Sequence, residues 1–118
     1  MRPPAEKTPP ALKPAVFYML LALAERESHG YAVMQAVRER SAGQVPLRTG
    51  SFYRHLAQLI EDGLVAEAAR PQDDDPRRGA YYRLTVRGHR VLAAERRRLA
   101  ALVAAIDGLR QAPRRGPA

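Results

Sequence analysis

At Gly63 the apolar pattern of this chain changes period, and few folds accommodate what lies on either side. Upstream runs "RTGSFYRHLAQLIEDG", from Arg48 to Gly63, where Phe52, Leu56, Leu59 and Ile60 recur at the spacing of a helix buried on one face. Thr49 is expected to cap its start, and Gly63 suits the left-handed position just past its end. Downstream, Leu64 to Arg70 and Ala80 to Thr85 read as two short strands. The connection between them, "PQDDDPRRG", is rich in Pro, Asp and Gly, which marks a hairpin with a long tip. From Val86 the helical period returns and holds to about Arg110, with Thr85 placed to cap it.

Two further helices precede this unit. Pro14 is suited to a first helical turn, and "AVFYMLLALA" behind it is apolar nearly all round, so this helix should be buried. Ser28 can cap a second helix, in which Tyr31, Met34 and Val37 or Arg38 follow at helical spacing beside Val33. "SAGQVP" is a turn. Three helices, a hairpin and a long last helix make a mainly α fold with a small β-hairpin: a winged helix-turn-helix. The 118 residues suit one domain. Residues 14–85 form its winged body and 86–110 the last helix. Half of the ten prolines lie within the first fourteen residues, so residues 1–13 are expected to be a disordered tail, and 111–118 likewise.

The outward face of the third helix carries Gly50, Ser51, Arg54, Ala57, Gln58 and Glu61. Glycine and alanine allow close approach, serine and the amide can donate or accept, and arginine reaches a phosphate or the acceptor edge of guanine. The start of the helix is free of acid, while Glu61 and Asp62 stand at its end. A helix entering the major groove by its N-terminus has that charge order. An ordinary solvated face would look similar, but 20 Lys+Arg against 12 Asp+Glu, a net charge of +8, favour a polyanionic partner. The alternative is a winged-helix module that binds protein without DNA. The acid-free helix start and the wing arginines set the two apart.

Three segments, "HGYAVMQAV", "RTGSFYRHLAQLIEDGLV" and "RRGAYYRLTVRGHRVL", together resemble the PadR-type transcriptional regulators, over roughly Pro14 to Leu109. The single helix after the hairpin resembles the smaller PadR subfamily. The resemblance implies a dimeric, ligand-responsive winged-helix repressor, and two-fold symmetry would favour a palindromic operator in double-stranded DNA. In the family the recognition helix opens on a Pro-Gly-Thr-Leu-Tyr-like pattern. Here Thr49-Gly50-Ser51-Phe52-Tyr53 stands in its place, which by position makes Ser51 and Tyr53 DNA contacts beside Arg54. The family wing commonly has basic residues directly before a Tyr-Tyr pair. In this chain Gly79 and Ala80 occupy those positions, and Arg77 and Arg78 lie earlier. The expected DNA-binding set is therefore Arg48, Thr49, Ser51, Tyr53, Arg54, Gln58, Arg77 and Arg78. The resemblance also implies a small aromatic or apolar ligand near the dimer interface, in a chain that has no tryptophan.

Leu92, Leu99 and Ile106 are seven apart on the last helix, with Leu102 and Leu109 between and beyond them, and Glu95 interrupts the pattern. A homodimer interface is expected along this stripe. The run Asp73-Asp74-Asp75 lacks the alternating ligands and terminal Glu of a calcium loop, and is expected to point away from DNA while Arg77 and Arg78 approach it. His29, His55 and His89 are far apart, and there is no cysteine, so no metal or other cofactor is expected. His29 is expected to order the start of the second helix. Of Tyr81 and Tyr82, one should face the core and the other solvent. No phosphate loop, nucleophile elbow or carboxylate pair indicates an enzyme. The N-terminus has no apolar run of the signal-peptide kind, and "PAVFYMLLALA" is too short to span a bilayer, so a cytoplasmic protein without membrane contact is expected.

Overall fold

The structure, a computed structural model, describes residues 11–111. Helix α1 (Pro14–Glu25) leads through a two-residue strand β1 (Ser28–His29) into α2 (Gly30–Arg40) and then α3 (Thr49–Glu61). The hairpin β2 (Val65–Ala68) and β3 (Tyr81–Leu84) follows, with a 3-10 turn at Pro76–Arg78 in its tip, and α4 (Val86–Gln111) ends the chain. The winged helix-turn-helix expected from the pattern is present. The sheet has one strand more than expected: β1 pairs antiparallel with β3, Ser28 opposite Tyr82 and His29 opposite Tyr81, giving the order β1-β3-β2. Ser28 is therefore in the sheet and does not cap α2. That role falls to His29, whose Nδ1 accepts from the Ala32 N–H at 3.3 Å while its ring packs edge-on against Tyr81.

One core holds these pieces together. Met19, Leu20, Ala22 and Leu23 of α1 meet Val33 and Val37 of α2, Phe52, Leu56 and Leu59 of α3, and Leu64, Val65 and Leu84 from the hairpin. Two side chains assigned to the inside lie outside it. Ile60 is 40% exposed and Tyr31 is 66% exposed. In α2 the inward positions are Gly30, Val33 and Val37, which turns Tyr31 to solvent. Tyr81 is buried and Tyr82 half-buried, so the pair splits as strand alternation requires, less sharply than expected.

The end of α3 shows why the period breaks where it does. Gly63 takes a φ of 77°, the Leu64 N–H reaches the Leu59 carbonyl at 2.9 Å, and the Gly63 N–H reaches that of Ile60 at 3.0 Å. This double closure ends the helix and turns the chain into β2. Thr85 then ties the hairpin to α4. Its hydroxyl donates to the Gly63 carbonyl at 2.6 Å and accepts from the Gly88 N–H at 3.0 Å. Thr49 does not cap α3. Arg48 occupies the cap position without a side-chain hydrogen bond, and Thr49 is the first helical residue.

The interruption of the α4 heptad also has a structural reason. Glu95 is buried, accepts the Leu12 N–H at 2.8 Å and pairs with Arg98. Its carboxyl is held below the ordinary range, first by the Leu12 N–H and then, against the cost of burial, by Arg98. Leu12 itself packs against the core. The folded body thus begins before Pro14. Of the tails expected at residues 1–13 and 111–118, residues 1–10 and 112–118 lie outside the described residues. Where α4 still faces its own chain, Leu92 packs on the core. Beyond Glu95 the helix projects, and Leu99, Leu102, Val103, Ile106 and Leu109 are all exposed.

Candidate nucleic-acid interface

Helix α3 is held by Phe52, Leu56 and Leu59, and that anchoring decides what its other side shows. Arg48, Thr49, Arg54, Ala57 and Gln58 are exposed, and Ser51 is half-buried. An Arg54 Nη2 lies 3.4 Å from the Ser51 hydroxyl, a weak contact that leaves the guanidinium free to reach outward. The Gln58 amide donates to Asp62 at 3.0 Å and so leans toward the end of the helix. No acidic residue occupies the first turn of α3. Its unpaired N–H groups and the positive end of its dipole therefore face solvent undiminished, an arrangement that suits phosphate. Half-buried His55 sits on the same helix. Burial first, then the charges of Arg54 and Lys13, hold its imidazole below the ordinary value.

Tyr53 is half-exposed, with its ring edge-on to Phe52 at 5.0 Å. It lies close over the start of α2: a Cβ at Gly30 would meet the Tyr53 hydroxyl at 2.9 Å and Phe52 Cε2 at 3.3 Å. From there a cleft of about 980 Å3 opens between the end of α1, α2, Tyr53 and the wing tip. Tyr31, Gln35, Arg77 and Arg78 line it, together with Glu25 and Glu39. The structure thus brings Tyr53, Arg77 and Arg78 to one cleft. Ser51, Arg54 and Gln58 stand on the solvent face of α3 outside that lining, and Arg48 lines a smaller cleft against Met34, Arg38 and Leu47.

The α2 contribution was not foreseen. The Gln35 amide donates to the Tyr31 hydroxyl at 2.7 Å, and Arg38 reaches the Gln35 carbonyl oxygen at 3.4 Å, a polar ladder along one exposed edge. The four- and three-residue steps from Tyr31 to Gln35 to Arg38 carried that signal in the sequence. The helical wheel also permitted Tyr31 and Arg38 an inward face, and that reading obscured it.

In the wing, Asp75 and Asp74 each pair with one of the two arginines. Arg77 grips Asp75 with Nε and Nη2 at 2.9 to 3.2 Å, and Arg78 Nη1 lies 2.8 Å from Asp74 Oδ1. The Asp75 carboxyl is held below its ordinary range, first by the Arg77 side chain and then by the Arg77 backbone N–H that it also accepts. The Tyr81 hydroxyl, with the Asp74 carboxylate, pushes Arg78 up and keeps it charged. Among the described residues, no three His, Cys, Asp or Glu side chains converge as metal ligands, and no helix is long and apolar enough to cross a membrane.

Comparison with known proteins identifies the family and the fold. Residues 19–94 match the transcriptional regulator PadR-like family. No curated protein sequence matches the chain. Among solved structures, a PadR family transcription regulator from Clostridium difficile R20291 superposes with a TM-score of 0.67 at 19% identity, over 82% of this chain and 98% of that one. The protein smu.1704 from Streptococcus mutans UA159 gives 0.67 at 19%, over 91% and 97%. A transcriptional regulator from Clostridium thermocellum, Cth-833, gives 0.62 at 18%, over 80% and 87%. These likenesses concern the fold.

Proposed function

The chain belongs to the PadR-like family of transcriptional regulators, and from that premise we propose that it is a dimeric repressor of a palindromic operator, released by a small aromatic or apolar inducer. It is a regulator and not an enzyme. One observation carries the DNA reading: the acid-free start of α3 exposes Arg54 beside Ser51, and Tyr53 on the same helix shares a cleft with the two wing arginines. Helix α3 enters the major groove by its N-terminus. Arg54 and Ser51 read base edges there, with Thr49, Tyr53 and Gln58 beside them, while Arg48, Arg77 and Arg78 meet the backbone or the minor groove.

The dimer forms through the projecting half of α4. Its exposed Leu99, Leu102, Ile106 and Leu109, with Val103 beside them, need cover that the three-helix body of one chain does not supply. The inducer's place is between α1 and α4 at that interface, and it acts by binding two dimer geometries unequally.

A mobility-shift titration with the DNA upstream of the protein's own coding sequence tests the reading. Arg54→Ala should weaken operator binding by about 1–3 kcal/mol, the worth of a bidentate base contact. Loss of Arg77 or Arg78 should weaken operator binding and flatten its salt dependence by about one ion each. Operator affinity unchanged in the variant lacking all three arginines would refute the assignment and favour a protein-binding module.

A further inference from the structure

The wing tip contradicts a simple basic clamp. In a chain of net charge +8, its outermost segment sets Asp73, Asp74 and Asp75 beside Arg77 and Arg78. The pairing is specific. Arg77 Nη2 and Nε both donate to Asp75 Oδ2, at 2.9 and 3.1 Å, and Nε is shared with Oδ1 at 3.2 Å, so the carboxylate engages the guanidinium edge that a phosphate would take. Asp75 is fixed for this task, because its Oδ1 also accepts the Arg77 backbone N–H at 3.0 Å at the start of the 3-10 turn. Asp74 is fixed differently. Its side chain is only 6% exposed, its Oδ1 is 2.8 Å from Arg78, and its Oδ2 is buried with no hydrogen-bond partner among the described residues. A buried carboxylate oxygen without a partner is unfavourable, so Asp74 depends on Arg78 for its one side-chain ion pair, and a phosphate that takes Arg78 must draw Asp74 out toward solvent. Arg77 is 90% exposed, where an ion pair is worth little and exchanges readily.

The geometry points to Asp74 and Asp75 as internal phosphate mimics that occupy the wing arginines until a DNA backbone displaces them. This rests on the DNA-binding reading of the site. Free in solution, or sliding on unrelated duplex, the tip contributes no attraction. When α3 seats in its groove, phosphates are held beside the cleft shared by Tyr53, Arg77 and Arg78, and the exchange becomes favourable. The carboxylates thereby lower non-specific affinity more than operator affinity, and act as specificity-determining residues that touch no base.

The test measures binding of the full chain to operator and to unrelated duplex by fluorescence anisotropy across a salt series. Asp74→Asn and Asp75→Asn retain shape and the Asp75 turn contact but not the charge. Their double variant should bind unrelated duplex about tenfold more tightly, with a log–log salt slope steeper by about one to two ions and a reduced operator preference. Asp73→Asn is the control, since it removes the same charge from a side chain that forms no ion pair among the described residues. It should leave the slope unchanged. In an Arg77→Ala background the effect of Asp75→Asn should vanish. If wild type binds operator while the double variant matches it in affinity and slope, or only follows Asp73→Asn, the mimicry is overturned and the DNA reading stands. Wild type that binds no duplex at any salt overturns both.

Discussion

The Leu99→Asp, Ile106→Asp double variant is expected to be monomeric at micromolar concentration and to lose operator affinity by two orders of magnitude or more. Both side chains lie on the projecting half of α4, exposed in the single chain. Burying a leucine or isoleucine is worth roughly 1.5–3 kcal/mol, and a two-fold interface uses each position twice. Carboxylates there must either be desolvated against apolar neighbours or keep the helices apart. The core contains neither residue, so the monomer should retain its melting transition and the intact wing. Affinity falls because each half-site then binds alone, and the effective concentration that links the second half-site, worth about 10²–10⁴-fold, is lost. Light scattering gives the mass and anisotropy the affinity. Dimers of unchanged stability would show that α4 pairs along some other face, or that the interface lies elsewhere.

Gly88→Val is expected to lower stability by about 3 kcal/mol or more, at the upper end of overpacking effects, and the melting temperature by about 15 °C. Gly88 lies in the first turn of α4, where that helix crosses the root of the hairpin. A Cβ there would fall inside the contact radius of the Leu64 carbonyl oxygen and 2.6 Å from Leu84 Cδ1. Neither neighbour can easily yield. The Leu64 carbonyl accepts the Thr85 N–H at 3.0 Å, and Leu84 is buried in the core. Gly88→Ala gives the sharper sign. Helix propensity alone favours alanine by about 1 kcal/mol, so destabilisation can come only from the crossing. A stabilised alanine variant in urea denaturation would mean that α4 does not approach the hairpin this closely.

Both predictions depend on features of unequal visibility in the sequence. Gly63 and Thr85 were legible because a helix stop and a helix start are local chemistry: a positive φ suits glycine, and a hydroxyl can reach an N–H three residues on. Phe52, Leu56 and Leu59 were legible because the core imposes a period. What escaped was set by contacts distant in sequence. A strand of two residues, Ser28–His29, has no period to read, and exists because β3 is there to pair with it. Glu95 read as a defect in a heptad, when it is the acceptor for a backbone N–H 83 residues away. Ile60 has the right spacing for the core, but α3 ends one residue after it and its side chain is left 40% exposed. The wing carboxylates could be seen but not oriented, since a run of three aspartates beside two arginines allows both repulsion from DNA and pairing within the loop. In the structure both Asp74 and Asp75 pair within the loop, and Asp75 also caps its 3-10 turn.

Selection from a pool of random duplex DNA by the full-length wild-type protein tests the central claim most directly. The account predicts enrichment of a two-fold symmetric motif whose half-sites are centred about one helical turn, roughly 34 Å, apart, with the enrichment fading for Arg54→Ala. Recovery of no motif, or of a single asymmetric site that Arg54→Ala selects equally well, would contradict it.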